Sequence, residues 1–312
     1  MAQVSIMLGN KHQTQGESMY LFRIHIRPGG GSADMQETFE YCFRNGLLGV
    51  GWRTESNRNT ADWDEYFGEA SKIHDNLNVC KYIKKWVNNG DLVWTRDING
   101  QYYLARVISG WEYWMDQESI ERDIDIANIF RVGFRKVTID QVPGKVIACF
   151  RAPRTIQEIA DEKALEYSKY LWNRFSGEKV YEVDNSKFSD IFMMLDDEET
   201  EDLVFLYLQS KGWYVVPNSR KADTMSFEYL ALDPKTGERA LTQVKTGNVH
   251  LNKEEYSRYP HKVFLFQSNG LYDGKDSENV CCLTRHELNG FLNQSLEWLP
   301  DVFKCKSEMV NT

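Results

Sequence analysis

The feature that most constrains this chain is a pair of apolar runs, SFEYLALD and LTQVKTG, joined by the turn DPKTGE. Strand-like runs on both sides of a Pro/Gly turn predict a β-hairpin. If the turn is centred on its Lys-Thr pair, Glu228 lies opposite Gln243. Because side chains alternate along a strand, Lys245 leaves the same face as Gln243. The hairpin is thus expected to gather a carboxylate, an amide and an ammonium at its open end, and a slip of one residue would separate them.

These three side chains suit one kind of chemistry. A lysine in an apolar strand is costly to bury unless it has a partner. Carboxylate and amide oxygens bind Mg²⁺, and a bound metal ion lowers the pKa of a water molecule and neutralises charge on a phosphate. An ammonium group can position the attacking hydroxide or stabilise the phosphorane. The set of Glu228, Gln243 and Lys245 therefore points to metal-dependent hydrolysis of a phosphodiester.

The hairpin belongs to a predicted α/β unit that covers residues 187–312. The run DEETEDLVFLYLQSKG predicts a helix whose acidic start suits the positive end of the helix dipole, and Gly212 ends it. Five strand-like runs follow, and RHELNGFLNQSLEWL predicts a closing helix. This succession of helix and strand patterns is typical of an α/β domain.

The sequence before residue 150 has a different texture. Six of the nine tryptophans lie there, and short strand-like runs alternate with turns. This pattern predicts a small β-barrel over residues 1–150. Residues 151–186 carry apolar positions at helical spacing that end at Gly177, and they predict a helical connector. The expected fold class is therefore α/β (α+β), with a small barrel, a connector and a C-terminal α/β domain.

The charge distribution leaves room for a polyanionic partner. The chain has a net charge of −9, but residues 1–150 hold 17 Lys and Arg against 19 Asp and Glu. Six acids of the second half lie in one run, from Asp196 to Asp202. Global charge governs solubility more than a local surface, so a basic groove stays compatible with this balance. No signal peptide, membrane-length apolar run or zinc spacing is present in the sequence, so a reduced, cytoplasmic protein is expected.

Residues 198–285 resemble the PD-(D/E)XK nuclease superfamily, especially its Mrr-like restriction-endonuclease branch. The likeness lies in an ordered set: a helix glutamate, a glycine with an aromatic strand, a strand acid and a Q-x-K strand. In this sequence the set is Glu201, Glu228, Gln243 and Lys245. The resemblance implies that Glu228 and Gln243 hold Mg²⁺, for which Mn²⁺ can substitute, that Glu201 is a further metal ligand or orients the water, and that Lys245 acts on the nucleophile. Glutamate at 228 replaces the commoner aspartate, which leaves Asp223 as a rival for the strand acid.

A looser resemblance covers the strands LLGVGW, GDLVWTRDINGQYYLARVISGWEYW and NIFRVGF. These are similar to the PUA-like superfamily, near the EVE-type readers, whose small barrel holds a flipped base. Such a base needs aromatic faces, and the candidate walls are Trp52, Trp94, Trp111, Tyr113 and Trp114. Alternation puts Trp111 and Tyr113 on one face and Trp114 on the other, so these three cannot line one pocket. Aromatic residues in strands are more commonly part of the core.

Together these features predict a two-domain, Mg²⁺-dependent endonuclease, by resemblance a modification-dependent restriction or anti-phage DNase. DNA, with or without a modified base, is the expected partner, and Arg220 and Lys221 are expected to contact phosphate near the site. Cutting both strands needs two sites, so a homodimer is expected. Two alternatives stay open: an RNA nuclease with the same metal site, and a catalytically inactive reader of modified nucleic acid.

Overall fold

The computed structural model of the chain describes residues 19–27, 29–221 and 226–311 as a mixed α/β structure. Two larger sheets and one two-stranded sheet are packed with helices. Within the described ranges, no helix is both long and apolar enough to cross a membrane. The expected mixture of helices and strands is therefore confirmed.

The first sheet has seven strands in the order β2-β6-β4-β3-β1-β7, and β5 also pairs with β6. Among its described strands, only β1 and β3 pair in parallel. The sheet curls into a half-barrel rather than the closed barrel that the turns suggested, because its edge strands β2 and β7 do not pair with each other in the described chain. The strands are β1 (Leu21–Ile24), β2 (Leu47–Val50), β3 (Leu92–Arg96), β4 (Tyr102–Val107), β5 (Glu112–Tyr113), β6 (Asn128–Val137) and β7 (Ile156–Glu158).

The last strand of this sheet extends the first unit beyond its expected end at residue 150. Strand β7 pairs antiparallel with β1, with Gln157 opposite Arg23. The segment expected to start the connector therefore returns to the first sheet before the long helix begins.

Five helices accompany the first sheet, and their ends follow local capping rules. The first begins after Asp34, whose side chain accepts a hydrogen bond from the Glu37 amide, and ends at Gly46, whose φ of 62° is left-handed. The two helices between residues 63 and 86 were not predicted. The helices are α1 (Met35–Asn45), α2 (Trp63–Ala70), α3 (Asn78–Trp86), α4 (Gln117–Glu121) and α5 (Gly144–Cys149).

The predicted connecting helix is α6 (Glu162–Ser176). Asp161 caps its first turn by accepting from the Ala164 amide, and Gly177 ends it with a left-handed φ of 72°. It leads through the short α7 (Ile191–Met194) to α8 (Asp197–Ser210), the helix predicted from the acidic run.

The second sheet has five strands in the order β14-β12-β10-β9-β8. Strands β10, β12 and β14 run parallel, and β8, β9 and β10 run antiparallel. Each of the five strand-like runs contains one of these strands. The remaining elements are β8 (Tyr214–Val215), β9 (Tyr229–Leu232), β10 (Arg239–Lys245), β11 (Leu251–Asn252), α9 (Lys253–Ser257), β12 (Lys262–Gln267), β13 (Tyr272–Asp273), β14 (Val280–Cys282), α10 (Arg285–Ser295) and α11 (Asp301–Asn311), with 3₁₀ turns at Ile139–Gln141 and Pro217–Lys221.

One hydrophobic core joins the two sheets. It includes Trp94 and Leu104 from the first sheet, Leu171 from α6, Leu203 from α8 and Val244 from β10. A second core fills the other face of the first sheet, and a small third core covers the other face of the second sheet. The burial of α6 and α8 between the sheets fixes where the start of α8 meets the end of β10.

Candidate active site

The register of the β9–β10 hairpin is the one predicted from its turn. Thr242 pairs with Tyr229 and Arg239 with Leu232, so the turn is centred on the Lys-Thr pair. Glu228 directly precedes β9, and its amide donates to the Thr242 carbonyl at 2.7 Å. The Nζ atom of Lys245 lies 3.0 Å from Oε1 of Glu228. The hairpin therefore brings this carboxylate and this ammonium together at its open end.

Gln243 lies inside the sheet beside this ion pair. Its side chain shares the face of β10 that carries Leu241, which belongs to the small third core, and it is 1% exposed. Its Oε1 atom has no hydrogen-bond partner among the described residues. An orphaned buried acceptor costs about 1–3 kcal/mol, so this amide lowers the free energy of unfolding and is not explained by a contribution to stability. An amide oxygen in this state is available to bind a cation.

Glu201 on α8 is the third acidic or amide side chain of the candidate site. Burial, and to a lesser extent the negative charge of Glu228, raise its pKa to about 7, and the charge of Lys245 opposes the rise. In the described part of the chain its carboxyl group makes no hydrogen bond and no ion pair. The site therefore carries acidic charge that Lys245 does not fully neutralise, and a cation would lower the pKa of Glu201 again.

The other five acids of the run that contains Glu201 each have a defined partner. One of these pairs is buried in the core: the Glu199 side chain is 4% exposed and its partner Lys306 is 1% exposed. The pairs are Asp196 with the Lys145 amide, Asp197 with the Thr246 hydroxyl, Glu198 with Arg151, Glu199 with Lys306, and Asp202 with Arg220. Glu201 thus stands apart from its neighbours, which hold α8 in place.

The set fits a divalent cation by its chemistry. Glu201 and Glu228 supply carboxylates and Gln243 supplies an amide oxygen, which are ligand types that Mg²⁺ accepts. No group of three or more His, Cys, Asp or Glu side chains in the described ranges is placed to hold a metal ion. The candidate set has only two carboxylates, and its rival acid, Asp223, lies outside the described residues. Among the described residues, the amide oxygen of Gln243 is the further side-chain ligand that this set offers beside its two carboxylates.

Arg220, one of the two basic residues expected near the site, already has a carboxylate partner. The Arg220 guanidinium pairs with the Asp202 carboxylate and lies 4.6 Å from the centre of the Phe205 ring. It would have to leave this pair to bind phosphate. Lys221 ends the 3₁₀ turn Pro217–Lys221, and its side chain lies outside the described part of the structure.

Sequence reasoning missed Tyr229, which is 1% exposed and whose hydroxyl has no hydrogen-bond partner among the described residues. Burial raises its pKa well above the usual range, and the charges of Glu201 and Glu228 act on it. Its place directly after Glu228 was a usable signal. Alternation, however, puts the two side chains on opposite faces of the strand.

Trp94 is not a wall of an open pocket. Its ring is fully buried in the core between the first sheet and α6, and its Nε1 donates to the Ser168 hydroxyl at 3.0 Å. The candidate assignment of Trp94 to base stacking is therefore wrong. The physical reason is that its face of β3 is covered by the helix predicted as a connector.

Trp111 and Tyr113 do share a face, as alternation predicted. Both pack on the Tyr66 ring, at centroid distances of 5.4 and 5.1 Å. They are 5% and 1% exposed, so in this conformation neither ring has an open face. Trp52 is half-buried and has a left-handed φ of 60°, and its carbonyl accepts from the Tyr66 hydroxyl at 3.0 Å. Such strained backbone is often found at binding sites.

No protein-family model matches the sequence, and no curated protein or solved structure matches it significantly. The two resemblances drawn from the sequence therefore rest on the residues quoted for them. The geometry of the site has to support any function by itself.

Proposed function

We propose that this protein is a metal-dependent endonuclease that hydrolyses phosphodiester bonds of nucleic acid. The proposal is carried by the convergence of Glu201, Glu228 and Lys245 beside the orphaned amide oxygen of Gln243. The raised pKa of Glu201 and the unpartnered Gln243 oxygen both oppose folding. Groups that are costly to the fold and suited to one chemistry support a catalytic role.

Each residue has a proposed role. Glu228, Gln243 and Glu201 would hold Mg²⁺, for which Mn²⁺ can substitute. The ion, when bound, lowers the pKa of water and neutralises phosphate charge. Lys245 has three protons and donates one to Glu228. A second proton can then orient the attacking hydroxide or stabilise the phosphorane.

The proposed substrate is DNA, with a modified base as the feature that the first sheet recognises. Support for the base-recognition part comes from the aromatic group around Tyr66 and from the strained backbone of Trp52. Because Trp111 and Tyr113 are buried, one of these side chains would have to change rotamer and expose its ring before a base could stack on it. The described residues contain one Gln243/Lys245 set per chain, so cutting of a duplex would take a homodimer. Restriction of modified or phage DNA is the biological role that these proposals would serve.

The test is cleavage of a panel of modified DNA, unmodified DNA and RNA in the presence of Mg²⁺ or Mn²⁺. We expect Lys245→Ala to lower the rate by about 100-fold or more, the usual effect of losing one preorganised donor. Lys235→Ala, an exposed lysine in the turn of the same hairpin, is the matched control and should cut as the wild type does.

The cleavage results distinguish the proposed nuclease from its alternatives. Equal cutting by Lys245→Ala and the wild type would place the active site elsewhere. Cutting of RNA alone would select the RNA nuclease. Tight binding of nucleic acid with no cutting of any substrate would select the inactive reader.

A further inference from the structure

Five basic side chains meet where the carboxyl ends of β1 and β3 approach the segment after α5. The set, termed here the basic cluster, consists of Arg23, His25, Arg27, Arg96 and Arg154. Because β1 and β3 are parallel with Arg23 opposite Trp94, His25 comes level with Arg96 two residues later. Alternation sends the three basic residues of the run RIHIR to one face of β1 and its continuation.

Among the described residues, no carboxylate forms an ion pair with the basic cluster. None of its four arginines forms an ion pair with another described residue. Burial lowers the pKa of Arg23, and so do the charges of Arg27, Arg154 and Arg96. The pKa of His25 is lowered to about 4, mainly by burial and then by the charges of Arg23 and Arg27. Like charges held together in this way are unfavourable without a counter-ion, so the cluster suits an anionic ligand.

Two buried members of the cluster are held in place and still have unused polar atoms. Arg23 is 0% exposed and His25 is 6% exposed. The Arg23 guanidinium donates to the Arg154 carbonyl, to the Ala152 carbonyl at 3.3 Å and to Oε1 of Gln157 at 3.1 Å. Its Nε atom and Nε2 of His25 have no hydrogen-bond partner in the described chain. The surrounding structure therefore fixes a buried positive charge that is not fully satisfied.

The Phe150 ring packs against two members of the cluster. The Phe150 ring lies 5.0 Å from the His25 ring, and the guanidinium carbon of Arg96 lies 5.1 Å from the Phe150 ring centre. Arg27 and Arg154 are exposed at the outer side. The cluster thus combines buried, packed members with two exposed guanidinium groups, whose planar forks match the oxygens of a phosphate.

The segment that carries Arg154 also touches the helix of the candidate active site. Arg151 Nη1 lies 3.1 Å from Oε1 of Glu198. Glu198 precedes Glu201 by three residues on α8, so the two side chains lie on neighbouring parts of the helix surface. This ion pair places the chain segment that carries Arg154 against the helix that carries Glu201.

We propose that the basic cluster binds phosphate groups of the nucleic-acid backbone and so holds the strand that enters the active site. This inference rests on the proposed function for the identity of the polyanion. Arg27 and Arg154 make the outer contacts, and Arg23 and His25 supply the buried part of the site. Contacts of this kind position a strand without reading its sequence.

The test measures binding without cutting. The parent is the full chain with Lys245→Ala, in EDTA, and the probes are fluorescein-labelled 30-nucleotide DNA and RNA, single-stranded and duplex. Anisotropy is read between 50 and 200 mM KCl. Adding Arg27→Ala and Arg154→Ala, both at exposed positions, should weaken binding about tenfold or more and lower the salt slope by about 2.

The matched control adds Arg239→Ala and Arg258→Ala to the same parent. These arginines are also exposed. Arg239 begins β10 and Lys245 ends it, so the two residues are roughly 20 Å apart along the strand. The control should keep the parent's affinity and salt slope. An equal loss in both double variants would mean that binding senses net charge alone and would overturn the proposal.

Competition experiments distinguish nucleic acid from other anionic ligands of the basic cluster. Polyglutamate that displaces the DNA as well as unlabelled DNA does would assign the cluster to acidic protein segments. Displacement by micromolar inorganic phosphate would assign it to a free phosphate compound. Either result overturns the proposal, as does unchanged binding by the Arg27/Arg154 variant or no binding by the parent.

The binding test and the cleavage test fail independently. If the wild type cuts no substrate while the Arg27/Arg154 variant loses binding as expected, the nuclease proposal fails and the phosphate site stands. If the wild type cuts and that variant binds like its parent, the nuclease proposal stands and the phosphate site fails.

Discussion

Replacement of Glu201 by glutamine should stabilise the protein at alkaline pH. The pKa of this carboxyl is raised from an ordinary 4.5 to about 7, first by burial and then by the charge of Glu228. One tenfold change in proton affinity corresponds to about 1.4 kcal/mol, so ionisation of Glu201 costs the folded state at most about 3.5 kcal/mol. Because the carboxyl is only partly buried, solvent screening reduces this value, and we expect about 1–3 kcal/mol.

The sign of the pH dependence follows from where the proton is held more tightly. The folded state binds the Glu201 proton more strongly than the unfolded state, so ionisation opposes folding. Below pH 4.5 both states are protonated and Glu201→Gln should change nothing. The advantage of the variant should grow as pH rises from 4.5 to 7, and it should be complete above pH 7.

The assay is urea unfolding of the wild type and Glu201→Gln at pH 5 and pH 8 without divalent metal. The variant should unfold at a higher urea concentration at pH 8, with the same slope. Glu238→Gln, at an exposed position in the hairpin turn, is the control and should show no such difference. Equal midpoints for Glu201→Gln and the wild type at pH 8, or the same gain at pH 5, would refute the assignment of an unneutralised carboxyl to this site.

Three further predictions concern the same region. Lys306→Met should lower the free energy of unfolding by about 3–5 kcal/mol, because it leaves the buried Glu199 unpaired; adding Glu199→Gln should recover most of the loss in urea unfolding. Gln243→Leu should raise the free energy of unfolding by about 1 kcal/mol in the same assay, because it removes an orphaned acceptor; a loss would show that the amide is satisfied. Mg²⁺ at 10–100 times its Kd should raise the stability of the wild type by about 1–3 kcal/mol; an equal gain in Glu228→Gln would contradict the metal assignment.

Much of the fold was visible in local sequence patterns. The helices α6 and α8 and the five strands of the second sheet lie where periodicity, caps and turns predicted them. The parallel pairing of β1 with β3 and the return of the chain at β7 were not predictable in this way. Such pairings join residues far apart in the chain, and no local pattern records them.

The candidate site shows the same division. The approach of Glu228 to Lys245 follows from the turn and from alternation, both of which act within one hairpin. The basic cluster was missed, although the alternation RIHIR was a visible signal, because Arg96 and Arg154 come from separate segments. Trp94 was misassigned because its burial depends on α6, whose packing position the strand pattern does not contain.

The sequence by itself determined the hairpin, its register and the kinds of group at its end, since these depend on short-range geometry. Only the tertiary structure decided what each acid of the run before Glu201 does. Glu199 meets Lys306, which lies 107 residues later, whereas Glu201 meets the charge of Glu228 in a partly buried setting. Burial and charge proximity set a carboxyl's pKa, and both are created by packing between distant segments.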